Sequence, residues 1–330
     1  MNEHNELKQL KVIEMDAGNI FSGQPSKRMI NGYSVASIYT PKSNPDYIYH
    51  DTMREIIVWL MNPSDPLYIF GPTGSGKTSL IKQLASKLNY PVFEVTGHSR
   101  LEFADLAGHL SLEKANMVFQ YGPLSLAMKY GGLFLLNELD LLDPATASGL
   151  NSILDGSPLC IPENGSELIY PHPMFRFAAT ANTNGGIDES GLYQGTLKQN
   201  IAFMDRFWLC EVNYPEPQAE VQLLKKLASS LPEKLRTGMV DYANEVRKLF
   251  MGEDSNHAEL GNSIEVTFST RTLIRWADLT VRFQPLSQQG VQPITYALDR
   301  ALGFRATRET RAMLHELAQR MFSGSERDIN

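Results

Sequence analysis

One run, Gly71-Pro72-Thr73-Gly74-Ser75-Gly76-Lys77-Thr78, constrains this chain more than any other stretch. It satisfies G-x-x-x-x-G-K-[ST] at every fixed position. The apolar run Leu67-Tyr68-Ile69-Phe70 comes before it and Ser79-Leu80 follows. The pattern reads as a strand, a glycine-rich turn and the start of a helix. Gly71, Gly74 and Gly76 free the backbone for conformations that a side chain hinders, so successive N–H groups can curl round a phosphate. The helix behind the turn directs its positive end at the same anion. Lys77 is placed to reach the β- and γ-phosphates, and Thr78 to set a hydroxyl on Mg2+. Pro72, Thr73, Ser75 and Ser79 complete the candidate nucleotide loop. Leu80, Ile81, Leu84 and Leu88 then recur at helical spacing. ATP with Mg2+ is the expected ligand pair.

The 330 residues suffice for one large domain and a smaller one. A 42% hydrophobic, 20% charged composition supplies a buriable core. A net charge of -7 with a pI of about 5.6 argues against nucleic acid as the partner. Cys160 and Cys210 form no CxxC and read as reduced core thiols of a cytoplasmic protein. Met1 to Lys11 lacks the apolar core of a signal peptide. No apolar run approaches the ~18 residues that a membrane span needs. A soluble, cytoplasmic protein is expected.

Residues 1–50 form a lead-in, with a short helix and then loop expected over Met1 to Gln24. Asp51–Met61 predicts a helix with Met53, Ile56, Ile57 and Leu60 on one face. Pro91–Val95, Gly132–Asp140, Phe175–Ala179 and Phe207–Val212 read as further strands; Thr96 to Gly131 is less regular. Leu159–Ile161 and Leu168–Tyr170 read as a hairpin. Alternating strands and helices predict an α/β fold, a five-stranded parallel sheet with helices on both faces, over residues 51–213. Ligands on such sheets sit at the carboxyl ends of the strands. The P-loop, Glu138 and Asn182 all lie there. Helical patterns at Glu216–Leu227, Glu233–Phe250, Arg271–Val281 and Thr307–Phe322 predict a smaller helical lid over residues 214–322, followed by a polar tail over 323–330.

Phosphoanhydride hydrolysis needs a phosphate cradle, Mg2+, an oriented water and positive charge on the γ-phosphate. Glu138, just past an apolar strand, is the candidate to polarise the water. Asn137 stands where an Asp usually helps hold the Mg2+ hydration shell; its amide still accepts a hydrogen bond but carries no charge. A weaker metal site is expected, with Asp140 a candidate for part of the loss. Asn182, in Ala179-Thr180-Ala181-Asn182, can hold the same water or touch the γ-phosphate. Arg206, in Met204-Asp205-Arg206-Phe207, precedes the last strand, where it would reach a neighbour's γ-phosphate rather than its own. Arg271, opening a lid helix, is a candidate clamp on the phosphates.

In this order and spacing, these residues resemble the Walker A, Walker B, sensor 1, arginine-finger and sensor 2 positions of AAA+ ATPases. Within that class the chain resembles the MoxR and dynein-related group with a helix-2 insert, and most of all the CobS type, the ATPase subunit of aerobic cobaltochelatase. Tyr170-Pro171-His172-Pro173-Met174-Phe175-Arg176, Gly191-Leu192-Tyr193-Gln194-Gly195-Thr196 and Met204-Asp205-Arg206-Phe207 carry that likeness, with Arg271-Thr272 and Trp276-Ala277 in the lid. The resemblance implies a homo-oligomeric ring, in most members a hexamer, with each site completed by a neighbour's Arg206. It implies a partner bearing a von Willebrand A-type domain and a chaperone-like remodelling or maturation task. It would make Leu106–Tyr121 the helix-2 insert and Leu159–Tyr170 the hairpin before sensor 1. Alternatives are a metal-chelatase motor subunit, a slowly hydrolysing nucleotide-dependent scaffold, and a nucleic-acid-linked NTPase.

Overall fold

The apolar runs around the P-loop assemble into one sheet. In this computed structural model the described residues are 5–49, 51–62, 65–113, 116–188, 193–251 and 264–322. The polar tail beyond residue 322 and the Gly191-Leu192 pair lie outside them. The chain divides into two compact units. The first comprises Met1–Pro45, Tyr49–Pro72 and Lys77–Val212; the second comprises Asp46–Ile48, Thr73–Gly76 and Asn213–Asn330.

The first unit opens with β1 (Val12–Asp16), α1 (Ala17–Phe21) and β2 (Met29–Tyr33). The two strands pair antiparallel, where a short helix and loop was the expectation for Met1 to Gln24. Asp16 makes this connection work. Its carboxylate caps α1 through the Asn19 N–H and also accepts the N–H groups of Ser26 and Lys27. The ladder docks on the rest of the unit through Tyr33, whose N–H donates to the Leu88 carbonyl and whose hydroxyl donates to the Gly131 carbonyl.

Next come α2 (Met53–Met61), β3 (Leu67–Phe70), α3 (Lys77–Lys87), β4 (Val92–Thr96), α4 (Phe103–Ala107), β5 (Gly108–Glu113), β6 (Asn116–Tyr121), α5 (Pro123–Tyr130) and β7 (Leu133–Asn137). They are followed by α6 (Pro144–Ser148), α7 (Asn151–Leu154), β8 (Leu159–Ile161), β9 (Glu167–Ile169), β10 (Arg176–Ala181), α8 (Ile201–Met204) and β11 (Trp208–Glu211). The main sheet has five strands in the order β11-β3-β10-β7-β4, and every pairing is parallel. Every residue of β7 and β10 is buried, as a central parallel strand covered on both faces requires. Leu80, Ile81, Leu84 and Leu88, predicted as one helical face, are all buried. The register sets Phe70 beside Ala181 and Thr96 beside Asn137, so the carboxyl ends of β3, β10, β7 and β4 come level. The stretch read as irregular contains the antiparallel β5–β6 hairpin, and β8–β9 forms the expected second one.

The second unit is helical: α9 (Pro217–Leu227), α10 (Glu233–Met251), α11 (Thr270–Phe283), α12 (Pro293–Ala301) and α13 (Arg308–Phe322). An aromatic cluster of Tyr242, Phe268, Trp276 and Phe322 fills its centre. Beside it, Glu220 and Arg247 are both buried and meet in a two-bond fork of 2.8 and 2.7 Å. Glu220 also accepts the Thr270 hydroxyl at 2.7 Å, and Arg247 donates to the Phe268 carbonyl. This network fixes α9 and α10 to the start of α11. Removing one ion strands the other in a buried site, so Arg247→Met should lower stability by about 3–5 kcal/mol. The double variant Glu220→Leu/Arg247→Met should recover a large part of that loss in chemical denaturation.

Candidate functional site

The site grows from the end of β3. Gly71 has φ +145°, and a Cβ there would lie 2.2 Å from the Val212 carbonyl oxygen. Only glycine lets the loop leave the sheet that close to the chain after β11. The loop then turns into α3, whose first residue is Lys77. The Lys77 ammonium is buried and donates to the carbonyls of Gly71 and Pro72 at 2.7 and 2.9 Å and to Asn182 Oδ1 at 3.1 Å. The loop tip, Thr73–Gly76, groups with the second unit, where Tyr214 donates its hydroxyl to the Thr73 carbonyl. The Ser75 hydroxyl is buried without a hydrogen-bond partner.

Asn137, the last residue of β7, is the junction of the site. Its Oδ1 accepts the hydroxyls of Thr78 at 2.6 Å and Thr180 at 3.0 Å, and its Nδ2 donates to Glu94 Oε1 at 2.8 Å. Glu138 follows with φ 53° and ψ 45°, a left-handed conformation uncommon for a residue with a side chain, and is exposed. Gly97, just past β4, makes room for this turn: its N–H donates to the Asn137 carbonyl, and a Cβ there would sit 2.6 Å from the Glu138 carbonyl oxygen.

Asp140 is fully buried under the end of β10. Its Oδ2 accepts the N–H groups of Asn182 and Thr183 at 2.8 and 3.1 Å. Burial pushes its carboxyl above the usual range, and those two N–H groups and the charge of Lys77 oppose the rise. Asp140 therefore holds the backbone of Asn182.

Arg206 lies at the other end of the sheet. It precedes β11, as Pro66 precedes β3 and Arg176 opens β10, and all three line a cleft of about 550 Å³ at the amino ends of the strands. Asp155 grips it in a fork of 2.8 and 2.9 Å, and the Ala202 carbonyl accepts a third bond. That guanidinium holds the Asp155 carboxyl below its ordinary range. Arg271 is exposed at the start of α11, in a groove lined with Leu224, Ile274 and Asp278.

The structure thus gathers Lys77, Thr78, Asn137 and Asn182 at the carboxyl ends of the strands, with Glu138 following Asn137, and sets Arg206 at the opposite ends. The sequence reading missed Glu94, Thr180 and Asp155. A carboxylate in the middle of Val92-Phe93-Glu94-Val95 was the one visible signal. The residues fit the nucleotide and metal that the loop implies. Thr78 Oγ1 and Asn137 Oδ1 are hard oxygen donors suited to Mg2+, and the orphaned Ser75 hydroxyl lies within the phosphate loop.

A parallel sheet with a P-loop at the end of one strand and polar residues closing its neighbours defines a P-loop nucleoside-triphosphate-binding protein. Residues 66–207 match the AAA domain of the dynein-related subfamily, and residues 220–321 match the CbbQ/NirQ/NorQ C-terminal family. The chain belongs to the AAA+ ATPases of this MoxR/dynein-related, CbbQ/NirQ/NorQ group. It is 28% identical over 284 residues to the aerobic cobaltochelatase subunit CobS of a Sinorhizobium species, covering 81% of this chain and 83% of that one. Protein NorQ of Paracoccus denitrificans is 29% identical over 66% of this chain and 74% of its own length. Midasin of Dictyostelium discoideum is 33% identical over 66% of this chain, a match that spans 4% of midasin.

Asp140→Ala should leave the Asn182 and Thr183 N–H groups without an acceptor and lower stability by about 1–3 kcal/mol. With Asn182 displaced, turnover should fall by up to about 100-fold. Nucleotide affinity should hold, as calorimetry with ADP would show.

Proposed function

We propose that the chain is a Mg2+-dependent ATPase that works as a ring and remodels or matures a partner complex. The contact that carries the reading is Lys77 to Asn182, 3.1 Å across the carboxyl ends of the strands, beside a Thr78 hydroxyl already aligned by Asn137. In this reading the Lys77 ammonium leaves its carbonyl partners for the β- and γ-phosphates. The N–H groups of the loop and of the start of α3 hold the remaining phosphate oxygens. Thr78 and Asn137 would hold Mg2+, which would supply positive charge to offset that of the phosphates. Glu138 polarises the attacking water, and Asn182, fixed by Asp140, orients it against the γ-phosphate. Arg271 is the candidate lid-side clamp.

The ring is supported by the place of Arg206. It lies at the end of the sheet away from Lys77, so it suits a neighbour's γ-phosphate and not its own. The β5–β6 hairpin supports a protein partner, because Leu112 and Met117 are 71% and 62% exposed. We assign that partner a von Willebrand A-type domain and the hexamer as the ring, in a cytoplasmic setting. The likeness to CobS over 83% of that protein favours a second reading, the motor subunit of a metal chelatase.

Lys77→Ala should abolish ATP binding in calorimetry; binding at wild-type affinity would overturn the P-loop assignment. Arg206→Ala should bind ATP without turning it over. Mixed with Glu138→Gln subunits it should regain part of the activity, since some sites then combine an intact Glu138 with an intact neighbouring Arg206. Mixed assemblies that form yet show no regain would rule out the shared site.

A further inference from the structure

We propose that Glu94 supplies the negative charge that Asn137 lacks, acting through the Asn137 amide as a positioning residue of the Mg2+–nucleotide site. The proposal rests on the nucleotide-binding reading above. Glu94 lies in β4, next to β7 in the sheet, and its Oε1 accepts the Asn137 Nδ2 hydrogen at 2.8 Å. On the far side of the same amide, Oδ1 accepts the Thr78 hydroxyl at 2.6 Å. One planar group therefore connects a carboxylate to the hydroxyl that the P-loop offers a metal.

The polarity of this chain is fixed by chemistry. A carboxylate only accepts hydrogen bonds, so it must face the NH2 side of the amide. The oxygen side then has to face Thr78 and Thr180, whose hydroxyls donate to it. The negative charge behind the NH2 group polarises the amide and builds electron density on Oδ1, as linked hydrogen bonds do. Asn137 is buried, so the amide is shielded from water although the Glu94 side chain itself is 36% exposed. The second Glu94 oxygen is held by Lys82 at 2.6 Å. Lys82 lies one turn beyond Thr78 on α3, so the clasp also ties the P-loop helix to β4.

The pair explains why residue 137 is an amide. An Asp there would bring two carboxylates to the 2.8 Å spacing now spanned by a hydrogen bond. Like charges that close cannot both stay ionised. Glu94 and Asn137 form a matched set, with one carboxylate in the network and its charge moved one strand outward. As an ordinary surface ion pair with Lys82, Glu94 would have no influence on the metal.

Binding of a fluorescent ADP analogue during a Mg2+ titration separates these cases without recourse to turnover. Glu94→Gln should raise the Mg2+ concentration for half-maximal tightening by about 10-fold, the usual scale for an outer-shell partner. Its affinity for the analogue in EDTA should match wild type. Asn137→Asp should give no tightening while Glu94 is present, yet should restore the wild-type Mg2+ requirement in the Glu94→Gln background. A Glu94→Gln titration that superimposes on wild type would overturn the proposal, and so would Asn137→Asp lowering the requirement equally in both backgrounds. Melting curves confirm that each variant is folded. Wild-type binding that ignores Mg2+, or that survives Lys77→Ala, would count instead against the nucleotide-site reading itself.

Discussion

The amide of Asn137 is the interaction on which the site depends. It takes hydroxyl bonds from α3 and β10 and gives one to β4, while its own residue ends β7. Each bond alone is worth on the order of 1 kcal/mol. Together they set the level at which several elements terminate, beside the P-loop. A parallel sheet makes such a junction possible, because all its strands deliver their carboxyl ends to the same side. Burial on both faces of β7 leaves the amide no freedom to turn away.

A second layer keeps the reactive side chains in place. Asp140 spends its carboxylate on the backbone of Asn182 and Thr183, so the Asn182 side chain stays available to Lys77. Asp155 does the same kind of work for Arg206 at the opposite end of the sheet. Both are acidic residues whose carboxylates fix the placement of another polar residue. In the helical unit the Glu220–Arg247 fork is deeper and purely internal. Its task is to set the start of α11, where Ser269 caps the helix through the Thr272 N–H.

Much of this was legible in the sequence, and the reasons are local. β3 and β7 are central strands that appear as apolar runs, and β10 carries Phe177-Ala178-Ala179 between Arg176 and Thr180. The P-loop is a contiguous motif whose residues act together without help from distant chain. The β5–β6 hairpin was hidden because β6 carries the apolar run Met117-Val118-Phe119, which lacks the alternation of a half-buried strand, and because the alternating leucines of β5, Leu110 and Leu112, are exposed and mark no core face. The β1–β2 ladder was hidden for the same reason at Val12 and Ile13, and its closure depends on Asp16 reaching residues ten and eleven positions on. Glu94 was visible only as a carboxylate within an apolar strand. Its meaning arises from the register between β4 and β7, which a linear sequence does not state.

The left-handed backbone of Glu138 has an evolutionary consequence. A residue with a side chain held there costs on the order of 1–3 kcal/mol, and glycine would relieve most of it. Selection for a sturdier fold therefore pulls position 138 toward glycine, while, under the proposed role in polarising water, selection for the carboxylate would pull the other way. A relative that has lost its need to turn over nucleotide would be released from that tension first at this residue. Glycine at this place in an otherwise intact family member would mark a chain that has exchanged turnover for stability.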